Sequence, residues 1–224
     1  MGLRLFAVLA LASLPALAGI VQFSGQPRYV SINNYSVPVY PEALTMAPPT
    51  GPATDGYKLA LTGFGIYVKK IAFIKVNVYV AAHYIEVGHS MLAADPLKSV
   101  VESPAEVIQM TLGRSVSADE TVSAFEDGLT TNHVDLDSPA IRHILEEIDF
   151  DTAPQDNVTI LTLPGSGGSE SVTIETRAKT IFAEQENLGL DMWRIWFGIP
   201  MDWGIAQLKP KLIGAKPPFG LNGN

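Results

Sequence analysis

Ile71-Ala-Phe-Ile-Lys-Val-Asn-Val-Tyr-Val-Ala-Ala-His-Tyr-Ile85 is the stretch on which the fold turns. Within it Val76, Val78 and Val80 alternate with Lys75, Asn77 and Tyr79, a period of two that puts the two sets of side chains on opposite faces of a strand. The run is rich in β-branched and aromatic residues and reads as the central strand of a sheet. Upstream, Leu59 and Leu61 alternate with Lys58 and Thr62, and Gly63-Phe-Gly65 reads as a turn. Downstream, Ile108, Met110 and Leu112 alternate with Gln109 and Thr111. Val158 to Leu163, a turn at Gly165-Ser-Gly-Gly168, and a return through Val172 and Ile174 to Ile181 and Phe182 predict a hairpin and a third strand.

Between these strands the period changes to that of a helix. Ser117-Ala-Asp-Glu120 has the form of a capping box, and Val122, Phe125 and Leu129 then recur at helical spacing. Ser138-Pro139 supplies an N-cap with proline at the first helical position, followed by the stripe Ile141, Ile144, Leu145 and Ile148. Leu188 to Phe197 and Asp202 to Leu212 predict two closing helices, the second disturbed at Pro210. Strands, helices, strands and helices in that order point to an α+β layer with an antiparallel sheet rather than to βαβ units.

The flanks frame one domain. Arg4, the apolar run Leu5 to Leu17 and the small-x-small site Ala16-Leu17-Ala18 read as a signal peptide over residues 1–18, so that an exported, periplasmic or secreted chain would begin at Gly19. Pro27, Pro38, Pro41, Pro48, Pro49 and Pro52 make 19–56 an irregular arm with short edge strands at most. Residues 57–214 form the domain and 215–224 a tail. The chain has no cysteine, so no disulfide can staple it and the core alone must hold it. A formal net charge of -8 speaks against nucleic acid or an anionic membrane surface as partner, and no segment after the signal predicts stable membrane insertion. Hydrophobic residues at 47% suit a large sheet or an apolar cavity.

Chemistry-bearing motifs are sparse. His83, His89, His133 and His143 lack the spacing of metal ligands, and no metal or cofactor is expected. Gly165-Ser-Gly167 is not a nucleophile elbow, and the acidic stretch from Asp135 to Asp151 lacks the spacing of a calcium loop. Trp193, Trp196, Phe197 and Trp203 form an aromatic group that serves either as core or as the wall of an apolar ligand pocket between sheet and helices.

Three ordered blocks stand out: Leu61-Thr-Gly-Phe-Gly-Ile-Tyr-Val-Lys-Lys70 with Phe73 to Glu86, Ser115-Val-Ser-Ala-Asp119, and Trp196-Phe-Gly-Ile-Pro-Met-Asp-Trp-Gly204 with Leu212-Ile-Gly214. Together they resemble the chalcone isomerase-like family. The resemblance is to the exported bacterial branch. It implies an open-faced sandwich, a large antiparallel sheet with helices packed on one face and an apolar cleft between them. Plant members cyclise a chalcone, and others are described as fatty-acid binders or as non-catalytic. Carried over by position, the family's catalytic arginine falls on Tyr67, its strand threonine on Tyr79, its helix tyrosine and asparagine near Glu120 and Asp127, and its last hydroxyl residue on Ile195. The resemblance therefore implies a ligand site formed by Tyr67, Tyr79, Lys69, Asp127, Ile195 and Trp196, with no assignable catalytic set.

The expectation is an exported, non-catalytic protein holding a small apolar or amphipathic ligand such as a fatty acid. Two rivals remain: an intramolecular lyase or isomerase using Tyr67, Tyr79 and Lys69 as donors, and a structural partner in an envelope complex whose cleft is filled by its own side chains. The sequence leaves the oligomeric state open.

Overall fold

The computed structural model describes residues 19–46 and 56–214; residues 1–18, which the sequence reads as a signal peptide, residues 47–55 of the proline-rich arm with Pro48, Pro49 and Pro52, and the tail lie outside the described residues. Within them, strands β1 (Val21–Ser24), β2 (Arg28–Ile32), β3 (Tyr35–Val39), β4 (Glu42–Thr45), β5 (Lys58–Ile71), β6 (Ile74–Glu86), β7 (Glu106–Leu112), β8 (Asn157–Pro164), β9 (Glu170–Glu175) and β10 (Thr180–Gln185) alternate with helices α1 (Pro96–Glu102), α2 (Ala118–Thr131), α3 (Pro139–Glu147), α4 (Leu188–Phe197) and α5 (Trp203–Leu212). Eight strands form one sheet in the order β1-β4-β5-β6-β7-β8-β9-β10, with every neighbouring pair antiparallel, and β2 and β3 form a separate ribbon. The fold is the expected large open antiparallel sheet with helices layered on one face. No described helix is long and apolar enough to cross a membrane.

The decisive stretch is not one strand. Ile71 ends β5 and pairs with Ile74, so Ala72 and Phe73 form a two-residue hairpin turn. Turns of this kind favour glycine, asparagine or aspartate, and here Ala72 takes φ 53° instead, which is why the sequence does not advertise the break. Gly63 and Gly65 are likewise not a turn but lie inside β5. They face α5 so closely that a Cβ on Gly63 would stand 2.0 Å from the Lys211 carbonyl oxygen, and one on Gly65 2.8 Å from Lys211 Cδ. The glycines are a groove in which a helix lies directly on a strand. Gly63→Ala is expected to lower unfolding free energy by about 3 kcal/mol, the upper end for overpacking, because the obstacle is backbone and cannot rotate away. Urea titration measures it, and a loss below about 1 kcal/mol would show that α5 sits loosely.

Two register shifts alter which side chains share a face. The pairing steps from Leu61↔Tyr84 to Gly63↔His83 and from Tyr67↔Tyr79 to Val68↔Asn77, leaving Thr62 and Val78 as the extra residues of β-bulges. Val78 therefore joins the helix-side core with Tyr67, Ala81 and Met110, whereas Val80 packs on the other face with Ala82 and Tyr84. The simple alternation of Val76, Val78 and Val80 does not survive the bulge.

Over residues 19–46 the proline-rich segment is more regular than its composition suggests. β1 and β4 extend the main sheet beyond β5, while Ile32, Val37 and Val39 of the β2–β3 ribbon cover Leu59, Val80, Tyr84 and Leu161 on the face away from the helices. Helix α2 carries its capping box in full. Helix α5 runs through Pro210 to Leu212, because a proline in the last turn forfeits a single backbone bond.

Candidate functional site

Under α2 and α4 the helix-side core is incomplete. A cavity of about 110 Å³ opens between β5–β9 and the helices, walled by Val78, Met110, Leu112, Phe125, Ile148, Phe150, Val158, Ile174, Ile195, Trp196 and Met201. Its polar lining comes from Tyr67, Tyr79, Lys69, Arg114, Glu120, Thr121, Thr152 and Thr176. Lys69 and Glu120 are exposed and Arg114 is partly so, which places the charged residues where the cavity meets solvent. Five of the six residues expected at the site, Tyr67, Tyr79, Lys69, Ile195 and Trp196, line this cavity. Asp127 does not: it lies on the exposed face of α2, between the buried Phe125 and Gly128.

The two tyrosines do different work. Their rings stack with centroids 4.9 Å apart. Tyr67 donates its hydroxyl proton to Asp202 Oδ2 at 2.6 Å, and Asp202 Oδ1 in turn accepts the Ile205 amide at 2.8 Å as the N-cap of α5. Burial first, and then this bond, push the Tyr67 phenol well above its ordinary range. Tyr67 is thus a strut between β5 and α5 rather than a free donor. Tyr79 accepts from Trp196 Nε1 at 3.4 Å, and no acceptor for its own proton is found among the described residues. Burial raises its pKa against the opposing effect of the Trp196 bond, so it stays a neutral donor at physiological pH.

A cation is present, but not on β5. Arg114, in the loop between β7 and α2, lays its two terminal nitrogens 3.1 Å from each oxygen of Glu120 and also bonds the Ser115 carbonyl at 2.7 Å. Its Nε is buried and has no partner among the described residues. The bond from Arg114 chiefly holds the Glu120 carboxyl below its usual range, with Ser117 and Lys69 adding to it. Sequence reasoning missed Arg114 because it lies just outside the Ser115–Asp119 block and in no periodic element. It also missed Asp202, although the residue stands inside the closing block. The aromatic group divides: Trp193 bonds Thr162 Oγ1 at 3.0 Å in the core with Phe197, Trp196 walls the cavity, and Trp203 lies 40% exposed. Among the described residues no cluster of His, Asp and Glu could hold a metal ion.

The sequence model of the chalcone isomerase-like family matches residues 45–214. The chain belongs to the chalcone isomerase-like family. That assignment agrees with the sheet, the helix layer and the cavity between them. A search of curated proteins finds no match. Among solved structures, the chain is similar to a fatty-acid binding protein of Arabidopsis thaliana, with a TM-score of 0.55 at 10% identity over 84% of this chain and 96% of that one. At that identity the likeness concerns the fold.

Proposed function

We propose that this chalcone isomerase-like protein is an exported, non-catalytic binder of a slender amphipathic anion, with fatty acids as the ligand class. The observation that carries the reading is the pairing of an apolar cavity with two unengaged donors, Arg114 Nε–H and the Tyr79 hydroxyl, one of them on a fixed positive charge. A carboxylate needs such donors, and an acyl chain needs only apolar walls. The likeness in fold to a fatty-acid binding protein supports the same ligand class. Export rests on the reading of the Arg4 to Ala18 segment as a signal peptide.

Cyclisation of a chalcone is disfavoured by the same geometry. The developing oxyanion needs a preorganised cation, yet the position onto which the family's catalytic arginine falls is Tyr67, which carries no charge and has spent its proton on Asp202. The volume of about 110 Å³ also lies below the roughly 300 Å³ at which ordinary ligand sites begin, which suits a narrow chain better than two aryl rings. The small volume equally favours a second reading, in which Tyr67, Tyr79, Phe125 and Trp196 fill the cleft of a structural partner. Native mass spectrometry of delipidated protein separates these. The binder takes up decanoate at one per chain and leaves chalcone turnover at the uncatalysed rate. No adduct with any fatty acid would favour the filled cleft, and robust flavanone formation would establish an enzyme.

A further inference from the structure

The β5–β6 hairpin ends in seven consecutive exposed residues, Lys69-Lys-Ile-Ala-Phe-Ile-Lys75. Phe73 is exposed to 103%, Ile74 to 67% and Ile71 to 52%, a degree of apolar exposure that water alone does not reward. Lysines flank them on both sides, and no Asp or Glu occurs in the chain between Asp55 and Glu86. Among the described residues none of Lys69, Lys70 and Lys75 is in an ion pair. Instead the Lys70 ammonium sits 3.8 Å from the centre of the half-exposed Trp203 ring, with Lys75 at 5.4 Å. Apolar tip, basic collar and an indole at the collar's level are the three layers of a bilayer interface: acyl chains, anionic headgroups and the aromatic belt.

We infer that this hairpin tip docks the protein on an anionic phospholipid bilayer, with Phe73 and Ile74 entering the acyl boundary and Lys70 and Lys75 meeting lipid phosphates. The formal charge of -8 argues against such a surface only when averaged over the whole chain. At about 3.3 Å per residue the tip reaches roughly 15 Å past Tyr67. That exceeds the Debye length of about 8 Å at physiological salt, so the lipid responds to the collar and is screened from much of the acidic remainder. The inference stands on the hairpin and not on what the cavity holds.

Flotation with vesicles tests it, using equimolar phosphatidylcholine and phosphatidylglycerol beside phosphatidylcholine alone. Wild type is expected to float with the anionic vesicles and to release at high salt. Lys70→Gln with Lys75→Gln should weaken binding about twenty-five-fold, since each lysine near such a surface is worth about fivefold. Phe73→Ser should weaken it about tenfold or more by removing a buried aromatic ring. Both variants leave the cavity lining intact, and circular dichroism with urea unfolding monitors their folding. Phe73→Trp should keep the affinity and shift its emission to the blue on docking. Failure of wild type to float on anionic vesicles at low salt would overturn the inference, as would flotation indifferent to all these changes. Vesicle-independent self-association that Phe73→Ser abolishes would instead assign the tip to a second copy of the chain.

Discussion

Arg114→Gln is expected to weaken decanoate binding about 100-fold while leaving binding of decanol within a factor of about three. A charge-assisted hydrogen bond to a carboxylate is worth roughly 2 to 3 kcal/mol, and losing one partner of such a pair costs at least that. The alcohol presents the same chain without the charge, so it tests the walls alone. Glutamine also releases Glu120, whose two oxygens are held by Arg114 in the free protein. A freed carboxylate at the opening repels an anionic ligand, which adds to the loss. Glu120→Gln on its own should therefore act in the opposite sense and tighten decanoate binding by a few fold. Tyr79→Phe removes a neutral donor and should cost about fivefold, near 1 kcal/mol. Titration calorimetry on delipidated protein reads all four. Equal losses for decanoate and decanol in Arg114→Gln would show that Arg114 acts through structure and does not meet the ligand's charge.

Tyr67→Arg, which places a guanidinium where the family's catalytic arginine falls by position, is not the converse experiment. The residue at 67 already faces Asp202, and an arginine there would pair with that carboxylate instead of the cavity. This is also where positional reading from the sequence loses its grip. Which strand residue faces the ligand depends on the bulges at Thr62 and Val78, and a one-residue slip exchanges the two faces of a strand. The sheet and four of the helices were legible, because alternation along β6 to β9 and the caps at Ser117, Ser138 and Asp202 are local signals. The hairpin at Ala72-Phe73 was not, since it lacks any turn residue. Helix α1 was passed over although Asp95 caps it and Pro96 opens it, for seven residues carry too little period to stand out. Arg114 belongs to a loop, where position is set by what the chain packs against and not by any repeat. Asp127 was an error of helical phase, since its neighbours Ala124 and Phe125 line the cavity and it does not.

The largest effect on stability is expected from His83→Ala, at about 4 kcal/mol. His83 is fully buried on β6, with its ring 4.8 Å from that of Phe197 and 5.3 Å from that of Trp193. Thr62 Oγ1 lies 2.6 Å from the Leu212 carbonyl, which can only accept, so the hydroxyl proton goes there. His83 Nδ1, at 2.8 Å, must then donate to Thr62, and Nε2 is left facing Glu106 across 3.8 Å. Glu106 is as deeply buried, and neither carboxyl oxygen has a hydrogen-bond partner among the described residues. Burial pushes its carboxyl above the ordinary 4.5, Glu170 adds to the rise, and His83 and His89 oppose it. A raised carboxyl binds its proton more tightly in the folded state than in the unfolded one. Its contribution to stability is therefore fullest below pH 4.5 and is lost as pH rises through the raised value. Alanine at 83 opens a cavity between two aromatic rings and strips Glu106 of the partner that favours its ionised form, a combination that costs about 3 to 5 kcal/mol in buried pairs. The decline with pH should extend over a wider window in this variant, and Glu106→Gln should flatten it in either background. Replacing both residues by leucine should restore stability to within about 1 kcal/mol of wild type, because no polar group is then left unmatched. Urea unfolding at a series of pH values measures the cycle. A loss below about 1 kcal/mol for His83→Ala, with an unchanged pH profile, would mean that the two side chains share a position in the core without sharing an interaction.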